Sequence, residues 1–197
     1  MGFLYRALQR LQEYSDIAEI GEIARRYFAM NAFDGVLTII GVLMGNYTAG
    51  VRSSAIVVST GLSTCVAMGI SGLWGAYLTE SAERKRGLDI LENHTLSDLS
   101  GTKIGRASRA AVIIVALVDG LAPFAAALVV LSPFFFSALL KDVTASYYLS
   151  LGMAMVTLFS LGAFLGRVSK ENLILSGLKM IGAGLIAVLL SYLLDTG

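Results

Sequence analysis

Residues 27–48 read YFAMNAFDGVLTIIGVLMGNYT, an apolar run of the length that a helix needs to cross a bilayer core, about 20 residues. Asp34 is the one formal charge within it. A carboxylate near the centre of a membrane helix costs about 3 kcal/mol or more, so an acid there points to ion binding or proton relay. At about 100° per residue, Tyr27, Met30, Asn31, Asp34, Thr38, Gly41, Gly45 and Thr48 share one polar or small face. Phe33, Val36, Ile40 and Leu43 lie away from it. That face can line a hydrated path, or bring two helices together through Gly41-x-x-x-Gly45.

Four further stretches, 54–78, 110–136, 146–166 and 173–194, join 28–49 as spans. Only Asp34, Asp119 and Lys179 place a charge inside the five. The chain is 56% hydrophobic and 15% charged, with a mean hydropathy of +0.74, far more apolar than a soluble domain. An all-α integral membrane protein of five transmembrane helices is therefore expected. Lys and Arg collect on the cytoplasmic side of membrane proteins. With the N-terminus inside, 13 of the 15 basic residues are cytoplasmic, Lys179 among them by snorkelling to the inner interface, and only Arg52 and Lys141 lie outside. The expected topology is N-terminus cytoplasmic and C-terminus outside.

Residues 1–26 are interrupted by Arg6, Arg10, Glu13 and Asp16, so they do not resemble a cleavable signal peptide, and the first span must act as the insertion signal. They read as an amphipathic helix, lying in the membrane interface or packing on a cytoplasmic loop. The transmembrane domain then occupies 27–197. Its cytoplasmic segment 80–109 should extend the second helix for a few turns and loop at Ser97–Gly105. The one cysteine, Cys65, falls within a span and has no partner for a disulfide within the chain.

Two short patterns recur. Asp34-Gly35-Val36-Leu37 returns as Asp119-Gly120-Leu121-Ala122, and Gly75-Ala76-Tyr77-Leu78 as Gly162-Ala163-Phe164-Leu165. Both copies start on the cytoplasmic side, so a parallel two-helix repeat, spans 1–2 and 3–4, is expected, with the fifth helix appended.

The second span presents Gly61, Thr64, Cys65, Met68, Gly72, Gly75 and Thr79 on one face, continuing to Glu83. Met155 is the counterpart of Met68 in the fourth span. Methionines in membrane helices are mostly packing material. Combined with Asp34 and Asp119, however, Met68 and Met155 make a mixed oxygen and thioether set that suits Fe(II) or Mn(II) better than calcium or magnesium. Glu80, Glu83, Asp89, Glu92, His94 and Asp98 are candidates for capturing metal before it enters, or equally an exposed mixed-charge helix with Arg84, Lys85 and Arg86 interleaved. An acid in an apolar medium favours its protonated form and a bound cation favours the ionised one, so metal binding and proton release are coupled. Pro123, four residues after Asp119, withholds a helix hydrogen bond from that residue's carbonyl. No nucleophile elbow, phosphate loop, dinucleotide fingerprint or zinc spacing is present. An enzyme, a bound cofactor and a nucleic-acid partner are not expected.

Ala32-Phe33-Asp34-Gly35-Val36-Leu37-Thr38 resembles the first-span Asp-Gly-Leu-Thr pattern of the vacuolar iron transporter family. Gly69-Ile70-Ser71, Gly75-Ala76-Tyr77-Leu78 and Ser81-Ala82-Glu83-Arg84 are similar to that family's second-span motifs. The family has Met and Glu where this chain has Gly72 and Ala76, and a longer Glu-rich segment between the second and third spans. The resemblance implies a homodimer in a prokaryotic plasma membrane that exchanges cytosolic Fe(II), and also Mn(II), for protons. Asp34 would be the central ligand, with Asp119, Met68 and Met155 as further ligands and Glu80 and Glu83 as gathering acids. The alternative reading is a non-transporting membrane scaffold that keeps the transporter fold.

Overall fold

The computed structural model describes residues 18–137 and 142–195. They form five helices: α1 (Ile20–Thr48), α2 (Ser54–Thr95), α3 (Lys103–Phe135), α4 (Val143–Val168) and α5 (Leu173–Asp195). All five are long and apolar enough to cross a membrane, and no strand occurs among the described residues. Most of the predicted N-terminal amphipathic helix, residues 1–17, lies outside the described residues; its last turns run without a break into the first span as the start of α1. Helix α2 has 42 residues, about 63 Å at 1.5 Å per residue, twice the hydrocarbon thickness.

The helix ends follow from local chemistry. Gly50 closes α1 at φ +72, with its amide donating to the Tyr47 carbonyl and the Val51 amide to that of Asn46, the paired bonds of an αL helix stop that glycine makes without strain. Lys170 does the same after α4 at φ +58, with the Glu171 amide donating to the Gly166 carbonyl at 2.8 Å. Asp142 and Asn172 cap the starts of α4 and α5, each accepting from amides of the first turn.

The chain divides into two compact units. The first takes 18–28 and 70–121, the start of α1 and the facing ends of α2 and α3. Its small core is Ala18, Ile20, Ala107 and Ala111, with Ile114 against it. The second takes 29–69 and 122–195, and its core is the larger one. Val36, Ile39, Ile40 and Leu43 of α1 are fully buried there with Val57 and Cys65 of α2, Val130 and Leu131 of α3, and Tyr147 and Leu158 of α4. Two contacts in this unit require glycine. A Cβ on Gly35 would lie 2.6 Å from the Pro123 backbone, and one on Gly162 would lie 2.5 Å from the Ser176 carbonyl of α5. Small residues thus let α1 approach α3, and α4 approach α5, backbone to backbone.

Aromatic residues mark one end of the second unit. Tyr147 donates its hydroxyl to the Val51 carbonyl at 3.0 Å and meets Tyr47 and Phe134 edge-on at 5.3 and 4.9 Å. The Arg52 guanidinium lies 5.5 Å above Tyr47. Tyrosine and arginine together suit the level where a bilayer meets water.

Candidate functional site

Of the residues grouped by helical phase on α1, five are exposed, and Tyr27, Asn31 and Thr48 are half-buried. Met30, Asp34, Thr38, Gly41 and Gly45 are exposed, whereas Ala32, Val36, Ile39, Ile40 and Leu43 on the opposite side are buried. The apolar stripe packs into the second unit and leaves the polar stripe uncovered. Thr38 returns its hydroxyl to the Asp34 backbone carbonyl at 2.8 Å, and the Asp34 residue itself is exposed. Met30, one turn before Asp34, is 55% exposed on that same face. It is a thioether that the sequence reading placed on the face without counting it among the ligands.

Asp119 differs. It is buried, at 7% exposure, within the first unit. A Cβ on Gly72 would lie 2.9 Å from its carbonyl oxygen and 3.1 Å from Oδ2. Helix α2 therefore comes close to α3 because position 72 has no side chain, and Asp119 occupies the space that a side chain there would need. The methionine that the resemblance leads one to expect at this position would not fit here. Ala76, one turn on, is itself buried at 4% exposure, so a glutamate there would carry its charge into a closed site.

Glu80 and Glu83 lie in the first unit and line one cavity of about 450 Å³ together with Glu19 and Arg84. Tyr27 of α1 donates its hydroxyl to Glu80 Oε1 at 3.4 Å. Arg84 Nε reaches Glu80 Oε2 at 3.3 Å, and its Nη1 donates to the Ala18 carbonyl at 3.1 Å. Glu80 is thus held by a phenol and a guanidinium, while Glu83 is exposed. The Glu80–Arg84 spacing of four is an ordinary helical pair, and nothing in the sequence signals that Arg84 would also tie α2 to the backbone of Ala18. Beyond α2, the Ser100 side chain and amide hold the Asp98 carboxyl below its ordinary range, the amide donating at 2.8 Å; His94 is exposed.

Met68 and Met155 both pack against the core of the second unit. The Met155 sulfur lies 3.3 Å from where a Cβ on Gly184 of α5 would sit, so this side chain fills the α4–α5 contact. The predicted site residues therefore fall into two sets: Glu80 and Glu83 in one cavity of the first unit, where Asp119 is also buried, and Met68 and Met155 against one core in the second, where Asp34 faces outward. Among the described residues, no three His, Cys, Asp or Glu side chains of a single chain converge as metal ligands.

Comparison with known proteins now bears on this arrangement. Residues 88–196, more than half of the chain, match the sequence model of the VIT family. An uncharacterized protein of the archaeon Methanocaldococcus jannaschii is 30% identical over 178 residues, 89% of this chain and 90% of its own length. The family match begins after Asp34 and after the second-span motifs, so it rests on residues other than those that carry the resemblance. On that match and that relative, this multi-pass membrane protein belongs to the VIT family, a family of transporters.

Proposed function

We propose that the protein carries divalent metal, Fe(II) or Mn(II), out of the cytosol in exchange for protons, as a homodimer whose two α1 helices face one another through Asp34. The observation that carries this reading is the uncovered carboxylate. Asp34 lies in a membrane span, yet none of the described residues of its own chain buries it. Lipid is a poor neighbour for it, and intramembrane acids face protein or water-filled paths. A second copy supplies such a neighbour. Gly41 and Gly45 on the same exposed face permit close approach of helices, and the two carboxylates would meet with Met30 one turn away. Two oxygen donors with thioethers beside them suit a borderline divalent ion. Protons and metal then compete for the same carboxylates, which couples metal binding to proton release.

Several finer features accompany this reading. The basic residues favour a cytoplasmic N-terminus and an outside C-terminus, and an archaeal relative fits a prokaryotic plasma membrane. Glu80 and Glu83, at the charged end of α2, would gather metal. Asp119-Gly120 would be the second copy of a parallel repeat, in which Met155 corresponds to Met68.

The deciding test is Fe(II) and Mn(II) flux in proteoliposomes under a proton gradient. Wild type transports, and Asp34→Asn does not. Equal flux through both would sink the proposal. The dimer is tested separately: with Cys65→Ala, a Thr38→Cys variant should cross-link to a second copy on mild oxidation, and a cysteine at buried Val36 should not. The scaffold reading has one observation in its favour: among the described residues, no three acid, His or Cys ligands of one chain converge. It predicts no binding of Fe(II), Mn(II) or Co(II) by calorimetry.

A further inference from the structure

The first unit has a second concavity. It lies between α2 and α3, has a volume of about 350 Å³, and is lined by Arg84, Lys85 and Arg109 with no carboxylate among its lining residues. The volume falls at the lower end of the range for small-ligand sites. We propose that this groove binds the phosphate headgroup of an anionic phospholipid from the adjacent leaflet.

Three observations support this. The first is charge. Arg84 spends Nε on Glu80 and Nη1 on the Ala18 carbonyl, and its Nη2 is buried with no hydrogen-bond partner among the described residues. Phosphate oxygens are natural acceptors for the guanidinium and ammonium donors that line this groove. Lys85 has no ion pair among the described residues, and Arg109 donates only to the Ser100 carbonyl, at 3.1 Å. Ser81 and Ser108 add hydroxyls to the same lining.

The second is level. On α2, exposed Trp74 and Tyr77 pack 6.1 Å apart, and such aromatic pairs sit where the membrane meets water. Ser81, Arg84 and Lys85 follow within the next two turns, at headgroup height. The third is polarity along the groove. Its far wall is Val112 and Ile113 of α3, and Ile113 is 56% exposed, so the charged end opens onto a surface fit for acyl chains. A free phosphate would use the charged end but gain nothing from the apolar one. Basic recesses between membrane helices at this depth are the kind of site that retains anionic headgroups.

The test uses the full chain, purified in a neutral detergent and titrated with phosphatidylglycerol or phosphatidylcholine, with retained lipid counted by native mass spectrometry. Wild type should retain phosphatidylglycerol preferentially, and an excess of inorganic phosphate should not displace it. The double variant Lys85→Ala/Arg109→Ala should bind it about thirtyfold more weakly, the effect of two basic residues at a membrane surface. Arg86→Ala, exposed and outside the groove, should bind as wild type does. Lys85→Arg/Arg109→Lys should restore binding, which separates loss of charge from loss of fold. Equal retention of both lipids, unchanged binding in the double alanine variant, or displacement by phosphate alone would each overturn the proposal, the last by making this a small-anion site.

Discussion

The chain contains the dipeptide Asp-Gly twice in membrane helices, and the two copies have opposite surroundings. At Asp34-Gly35 the glycine is the buried partner, so close to Pro123 that a Cβ would lie 2.6 Å from its backbone, and the acid is exposed among the described residues. At Asp119-Gly120 the acid is itself buried, lodged against the bare Cα of Gly72. The difference teaches that a carboxylate in a membrane helix takes its role from what covers it. A buried acid held by its own fold contributes to packing and polarity inside one chain, whereas an acid left uncovered within a span needs a partner, an ion or a proton.

The largest expected effect separates the two acids by function. Asp34→Asn should lower metal flux in proteoliposomes by about 100-fold, the upper range seen when a metal site loses an ordering group, with thermal stability in detergent unchanged. Asp119→Asn should instead lower stability, by about 1–3 kcal/mol for a buried hydrogen-bonding group whose partners are disturbed. If the two variants lose flux equally and both keep their stability, the contrast between the sites disappears.

Substitutions at the neighbouring glycines sharpen it. Gly35→Ala places a methyl 2.6 Å from backbone atoms, which cannot yield as a flexible side chain can. It should cost about 3 kcal/mol, the upper range for overpacking, read as a fall in detergent melting temperature. Gly72→Met, the residue typical of the family at this position, meets the Asp119 carbonyl and carboxylate. It should cost about 2 kcal/mol on the same scale, and pairing it with Asp119→Ala should recover part of that loss, because the variant side chain then enters the vacated space. A simple sum of the two losses would mean that the Gly72–Asp119 contact does not set the spacing of α2 and α3.

The smallest effect lies outside the membrane. Asp98 has its carboxyl lowered by the Ser100 side chain and amide. A lowered acid contributes stability above its unfolded pKa of about 3.9 and loses it as pH falls through the folded value. Amide exchange at Ser100 should therefore quicken as pH drops below about 4, after correction for intrinsic rates, and Asp98→Asn should remove that pH dependence without touching flux. The Asp34 and Asp119 phenotypes should be indifferent to it.

Composition and periodicity were enough to find the five helices and the face of α1 that carries Asp34. Both are local properties. A run of about 20 apolar residues must satisfy its own backbone hydrogen bonds in lipid and can do so only as a helix. Once it is a helix, the 3.6-residue turn sorts Val36, Ile40 and Leu43 from Asp34, Thr38 and Gly41. The stops at Gly50 and after Arg167 follow from equally local rules. Sequence motif and family match also converge on the VIT family from different residues.

What tertiary structure alone decided is which group covers which. That Asp119 is buried depends on α2 lying against α3 at Gly72, a contact between residues 47 positions apart in the chain. Arg84 joins Glu80 to the Ala18 carbonyl across 66 positions, and the groove beside it exists only because α3 returns along α2. Helical phase says which side chains share a face, but burial is a property of the neighbour, and the neighbour is chosen by long-range packing.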